Sequence, residues 1–303
     1  MDKSQSFIRN KVNLQLQNAL AGMHDLLDNS FDLAIADPPY GASTNATWKL
    51  DNGHALAGFG GAWKLASHDW DMFNGLEGFE FTLAWLKELK RLVKPTGSIW
   101  IHSTYHNSGI INVACQMLGL EIINEVVWYK RNAFPNLSAR RLTASHETIL
   151  WVHTGGNKRQ YYFNYEDVKA ATFQEDNLKE AGKQLRTVWD IPNNKKAAEL
   201  EFGKHPTQKP LRLIERMLLI SAIQSGQLLI PFVGSGSEIV AGLKYNMDCV
   251  GYEVDQTYFD LACQRISAYL ETKDTQLKME LPACEELPKI PNLSLNGQAV
   301  SAI

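Results

Sequence analysis

Short apolar runs of strand type alternate with stretches of helical period along most of this chain, and that alternation leaves few folds open. Residues 31–36, 98–102, 121–128, 147–153, 227–231 and 248–253 read as strands. Residues 78–93, 107–118, 210–225, 237–245 and 256–270 carry apolar side chains at helical spacing. Lys94-Pro95-Thr96-Gly97 closes the first of these helices, and Pro210 opens the third at its first position. Strands that alternate with helices predict an α/β fold with a doubly wound, mostly parallel sheet. Glu, Pro, Lys and Asn dominate after about Thr272, so residues 273–303 are expected to be a weakly structured tail.

The first strand stops at Asp37-Pro38-Pro39-Tyr40, because two prolines cannot continue a sheet ladder. Chemically, this tetrapeptide suits methylation of an aromatic amine. The amino group of adenine is a poor nucleophile, since its lone pair is delocalised into the ring. The Asp37 carboxylate can accept one amino hydrogen and the Pro38 carbonyl the other, which lets the nitrogen pyramidalise. Pro38 and Pro39 stiffen the backbone, so both acceptors are held in place beforehand. Tyr40 offers a face on which an extruded base can stack. The plainer reading is a proline-terminated strand with a capping aspartate. Residues 42–71 follow as a long aperiodic loop with Trp48, Trp63 and His68, expected to close over DNA and a flipped base or else to be a disordered insertion.

Residues 227–245 read as strand, then Phe232-Val233-Gly234-Ser235-Gly236, then helix. Small residues at the carboxyl end of a strand let a ligand approach the backbone where open α/β sheets bind nucleotides. Glu253 ends the following strand 19 residues after Gly234, where a carboxylate can take both hydroxyls of a ribose. No third glycine completes a dinucleotide fingerprint. Glu238, in the first helical turn, would repel a pyrophosphate. A cofactor with a ribose and no phosphate is expected, and S-adenosyl-L-methionine fits. Taken alone, the glycine turn is equally well an ordinary tight turn.

Composition narrows the partners. The formal charge is −3, yet residues 129–216 carry 16 Lys and Arg against 10 Asp and Glu, while the rest carries 14 against 23. A basic middle on an acidic body suits a local polyanion-binding face, or simply solvated lysine-rich helices. The four cysteines, Cys115, Cys249, Cys263 and Cys284, form no CxxC pair and no cluster with histidine. They read as reduced thiols in a cytoplasmic protein without structural metal. No signal segment and no apolar run long enough to span a membrane is found.

Together, Asp37–Tyr40, the 93–99 junction, the WYKRNAFPN stretch at 128–136, the SHETILW stretch at 145–151, HPTQKP at 205–210 and PFVGSG at 231–236 resemble the β group of amino-type DNA methyltransferases, over residues 12–269. The resemblance implies a Rossmann-like S-adenosylmethionine-dependent fold with permuted motif order, the catalytic tetrapeptide preceding the cofactor glycines. Asp at its head implies adenine-N6, since the cytosine-N4 enzymes of the group usually carry Ser. Residues 132–150 resemble most the branch that modifies GATC or GANTC palindromes. His205, Thr207, Lys209 and Phe232 are carried into the cofactor pocket, with Gly234, Ser235 and Gly236 beside the methionine moiety and Glu253 on the ribose. Three departures stand out. Ile230 occupies a position usually held by aspartate near the methionine ammonium, and Glu238 replaces a small hydroxyl residue and could compensate there. Asn18 stands where a carboxylate commonly meets the cofactor's adenine.

The expected organisation is a catalytic half at 1–153, a target-recognition insert at 154–203, a cofactor-binding half at 204–272 and the tail. Lys130, Arg131, Arg140 and Arg141 are candidate phosphate contacts, and the aromatic run at 160–164 is either base-contacting or buried strand. The expected partner is DNA, double-stranded or single-stranded, together with a cognate restriction endonuclease and a homodimeric copy as further candidates. The competing readings are a cytosine-N4 methyltransferase and a non-catalytic DNA-binding protein on a decayed scaffold.

Overall fold

The computed structural model describes residues 5–40, 75–133, 135, 140–155, 160–171, 182–193, 197–203 and 205–280. The loop expected at 42–71 lies outside the described residues. Strands β1 (Gln5–Arg9) and β2 (Val12–Leu16) form a hairpin, with Asn10 at φ 51° in its turn. Helix α1 (Ala19–His24) leads to β3 (Phe31–Ala36). Then come α2 (Gly75–Leu92), β4 (Val93–Ser103), α3 (Ser108–Met117), β5 (Glu121–Tyr129) and β6 (His146–His153). The short elements α4 (Tyr165–Ala170), β7 (Val188–Asp190) and α5 (Ala197–Leu200) follow. Helix α6 (Leu211–Ser221), β8 (Gln227–Ile230), α7 (Ser237–Lys244), β9 (Asp248–Glu253) and α8 (Gln256–Glu280) complete the chain.

The strands make one sheet in the order β1-β2-β9-β8-β3-β4-β6-β5-β7. The run β2-β9-β8-β3-β4 is parallel throughout, and only β1 and β6 oppose it. Alternation along the strands assigns the two faces. Ala34, Ala36, Ile99 and Ile101 look towards α1, α2 and α3, where Met23, Trp85, Leu89 and Ile111 close one core. Leu228 packs the opposite way, under α7: a Cβ at Gly242 would stand 2.7 Å from it. Trp100, also on that side, donates to Ser221 of α6 at 2.7 Å. Helices therefore cover both faces, as the alternation of elements predicts.

The chain leaves β3 for β4 on one side and β8 for β9 on the other, although β3 and β8 are neighbours. Such a reversal point leaves a crevice beyond the carboxyl ends of the two strands. The Asp37–Tyr40 tetrapeptide, the HPTQKP stretch and the turn after β8 converge on it.

Some boundaries differ from expectation, each for a physical reason. β4 begins at Val93 and not at residue 98, because its ladder with β3 jumps from Phe31↔Val93 to Leu33↔Ser98 and bulges the closing Lys94–Gly97 stretch outwards. Helix α6 stops at Ser221, and Ala222 takes extended backbone. Helix α8 runs to Glu280, past the expected end at residue 270. By internal contacts the chain divides into two units, Met1–Ser267 and Ala268–Ile303. Among the described residues no helix is long and apolar enough to cross a membrane, and no group of His, Cys, Asp or Glu is placed to hold a metal ion.

Candidate active site

Asp37 is the first residue beyond β3, and Gly234 sits in the turn beyond β8, so the two motifs face each other across the crevice. One cleft is lined by Asp37 to Tyr40, by His205, Thr207 and Lys209, and by the turn after β8. Asn18, Phe232, Glu238 and Glu253 reach it as well. Residues nearly 200 positions apart in the chain thus share one site. Gly236 is the exception among the expected glycine positions: it does not line the cleft but caps α7, with φ 80°. A Cβ there would meet Ala262 at 3.2 Å.

At the floor of the cleft Lys209 donates to Asp37 Oδ2 at 2.6 Å, to the Tyr40 hydroxyl at 2.6 Å and to its neighbouring Thr207 carbonyl at 3.0 Å. Tyr40 in turn donates to Asp37 Oδ1. Lys209 is only 2 % exposed, so its charge depends on these partners. Burial pushes the Asp37 carboxyl up, but Lys209, His102 and Tyr40 hold it below the usual carboxylate range. Burial pulls the Lys209 ammonium down, and Asp37 and Glu147 outweigh it, leaving Lys209 raised. The pair is fully ionised at neutral pH.

The glycine turn is fixed from two sides. Glu253 accepts the Gly234 N–H at 2.7 Å, and its other oxygen accepts from Val254 at 2.9 Å and Asp255 at 2.8 Å. Buried Arg265 donates to the Ser235 carbonyl at 2.5 Å. Burial pushes Glu253 up to about 7 against its three N–H donors, and burial followed by the Asp37 charge does the same to Glu238. The cleft therefore holds three carboxylates, Asp37, Glu238 and Glu253, against the single ammonium of Lys209. That balance favours a cationic ligand.

The remaining expected residues divide by what they touch. His205 stacks edge-on against Tyr258 at 4.2 Å and accepts from the Thr207 N–H at 3.3 Å, wedged beside Gly234. Phe232 meets Trp85 edge-on at 5.9 Å. Asn18 caps α1: its Oδ1 accepts from Leu20 at 2.9 Å and Ala21 at 3.4 Å, which uses the oxygen expected to face a cofactor's adenine. Ile230 is fully buried and offers no polar atom.

Of the candidate phosphate contacts, Lys130 turns inward to Glu147 at 2.8 Å and Arg131 pairs with Asp190 at 2.9 Å. Arg140 and Arg141 are exposed, with Arg141 donating to the Tyr105 hydroxyl at 2.6 Å. The aromatic run forms no strand, and Tyr162 and Phe163 stay exposed, while Tyr161 and Phe163 stand edge-on to Trp151 at 5.4 and 5.5 Å. Tyr162 bonds the Thr96 carbonyl, at the end of β4 opposite the cleft.

Sequence reasoning missed His102 and gave Glu147 no role. The β3–β4 register ends at Ala36↔Ile101, which puts His102 beside Asp37. His102 is fully buried, neither ring nitrogen has a partner, and burial lowers it to about 4. Its only sequence signal is a histidine at the carboxyl end of a strand.

The comparisons agree with this geometry. The family model described as DNA methylase, covering N6 and N4 methyltransferases, matches residues 31–264. The type II methyltransferase M2.DpnII of Streptococcus pneumoniae is 34% identical over 265 residues, 87% of this chain and 92% of that protein. M2.LlaDCHI of Lactococcus lactis subsp. cremoris is 34% identical over 239 residues, 78% and 82% of the two chains. Among solved structures, the M1.HpyAVI–SAM complex superposes with a TM-score of 0.57 at 22% identity, covering 84% of this chain and 98% of that one. The cytosine-N4-specific PvuII DNA methyltransferase gives 0.63 at 13% identity, covering 89% and 93%. A permuted α/β sheet, a proline-locked aspartate and a glycine turn facing each other across its reversal point, and a family match spanning both therefore lead to one conclusion: this chain belongs to the N6/N4 DNA methylase family.

Proposed function

We propose that the chain methylates the N6 amino group of adenine in DNA, with S-adenosylmethionine as the methyl donor. The observation that carries the reading is Asp37, an ionised carboxylate held at the mouth of β3 next to the Pro38 carbonyl. The fold does not choose between adenine and cytosine, since a cytosine-N4 enzyme superposes on it. The carboxylate at the head of the tetrapeptide does, by the resemblance drawn above.

The donor set suits the cofactor. Glu253 would hold the ribose, Phe232 and the backbone of Gly234 and Ser235 would flank the methionine part, and the excess of carboxylates would receive a cation. When bound, the sulfonium supplies an electrophilic methyl group. The chain's own residues do the rest. Asp37 and the Pro38 carbonyl accept the two amino hydrogens and aim the nitrogen lone pair, and Asp37 is placed to take the proton that the amine loses. Tyr40 stacks on the flipped base. Arg140 and Arg141 are proposed to hold phosphates, and residues 154–203 to contribute target reading. A short GATC or GANTC palindrome is the proposed site, and a companion endonuclease, a dimeric copy and a cytoplasmic location are proposed with it.

The test is nucleoside mass spectrometry of unmethylated DNA incubated with S-adenosylmethionine and the parent protein or Asp37→Ala. N6-methyladenine is expected from the parent, reduced at least about 1,000-fold in the variant, in line with loss of a group that acts on the reacting atoms. N4-methylcytosine would overturn the substrate. Absence of both product and cofactor binding would overturn the enzyme reading. Duplex and single-stranded oligonucleotides carrying GATC, GANTC or neither then locate the target.

A further inference from the structure

Both Asp37 oxygens are occupied, one by the Tyr40 hydroxyl and one by the Lys209 ammonium. Methyl transfer builds positive charge on the attacking nitrogen, and an ammonium held against the accepting carboxylate opposes that charge. Lys209 must therefore draw back during the reaction, yet a buried ammonium left without a partner is strongly disfavoured. The structure contains a second acceptor. Glu147 Oε2 lies 3.9 Å from Lys209 Nζ, is buried and has no hydrogen-bond partner. Glu147 Oε1 is held by Lys130 at 2.8 Å, so the carboxylate is already oriented with its free oxygen available to Lys209.

We infer that Glu147 is a positioning residue, the second seat to which Lys209 moves when the substrate amino group engages Asp37. It acts on the reaction through Lys209 alone. The inference rests on the amino-methylation reading above. The neighbours support it: His102 on β4 is a buried imidazole beside Asp37, held neutral by that burial, so it does not compete as a cation for the vacated carboxylate. Tyr40 also acts on Asp37 and, from α7, Glu238 acts on Lys209.

The experiment is the pH profile of kcat, measured on whichever methylated base the parent enzyme produces, for the parent, Glu147→Gln and Lys130→Met. With Glu147→Gln the ammonium stays on Asp37. The expected result is kcat lower by at least about 10-fold, KM values within about two-fold of the parent, and an acid limb moved to lower pH. Lys130→Met frees Glu147 to compete for Lys209, so its acid limb should move to higher pH, whatever it does to DNA affinity. An unchanged kcat in Glu147→Gln overturns the inference, as does an acid limb that stays still or moves the same way in both variants. If Glu147→Gln does not fold, an unmoved limb in Lys130→Met overturns it alone. A parent that yields N4-methylcytosine contradicts the adenine reading and leaves this comparison to be judged on its own result.

Discussion

At the residue scale, Glu238 is proposed for a task that the Ile230 side chain cannot perform. With no polar atom at the end of β8, Glu238 is the buried carboxylate on α7 that can meet a cationic cofactor. Its carboxyl is pushed up from 4.5 to about 7 by burial and then by Asp37, while Lys209 and Arg265 pull the other way. A carboxyl raised in the folded state stabilises the fold below the unfolded value, and that contribution is lost as pH rises through about 7. The ligand-free protein should therefore melt at higher temperature as pH falls from above that value towards 5, an estimate of the window set by linkage. A cationic ligand selects the ionised form, so cofactor affinity should rise with pH across the same range. Calorimetry at about pH 6 and pH 8 checks this, the interval bracketing the transition. Glu238→Gln should weaken binding and flatten the slope while the fold is retained. Equal affinity at both pH values in the parent would contradict the assignment. The sequence made Asp37, Lys209 and Glu253 visible because each sits in a motif with its own chemistry. It hid His102 and the partner of Glu147, since both depend on strand register and not on spacing along the chain.

The elements that shape the cleft are short and tightly fitted. Gly236 caps α7 in left-handed backbone, and Arg265 ties the preceding carbonyl to α8. Gly236→Ala should cost about 1–2 kcal/mol from the left-handed conformation alone, with a further penalty because its Cβ would crowd Ala262. Urea denaturation with and without cofactor measures both effects, and a variant as stable as the parent would show that the turn relaxes. Long periodic elements such as α2, α3 and α7 were legible to within a few residues. The β1–β2 hairpin was not, because QSFIR and VNLQL are too short and too polar to stand out from a terminus. The 93–98 bulge was hidden by its proline and glycine, which read as a helix stop and are also the residues that let a parallel ladder skip. Helix α8 outran its expected end because the chain after residue 270 keeps helix-forming residues without an apolar stripe to announce them.

For the whole molecule, the arrangement β2-β9-β8-β3 separates two strands that are close in sequence and fills the gap between them with two that are made last. β2 and β3 can pair early with β1 and β4, but each gains its inner neighbour only after residues 227–253 exist, so the centre of the sheet is closed by its most distant contacts. Sheets that depend on such contacts form slowly and expose unpaired edges meanwhile. A chain ended before Gln227 should therefore lack cooperative melting and aggregate, while one ended after Glu280 should melt as a unit. A soluble, cooperatively folded 1–226 fragment would disprove that dependence. On the ribosome, the consequence is a protein with no partial form: the catalytic aspartate emerges early, but its glycine turn is among the last structured parts to appear. A stalled or nicked product would carry Asp37 without the turn that faces it, and only a nearly finished chain could assemble the site.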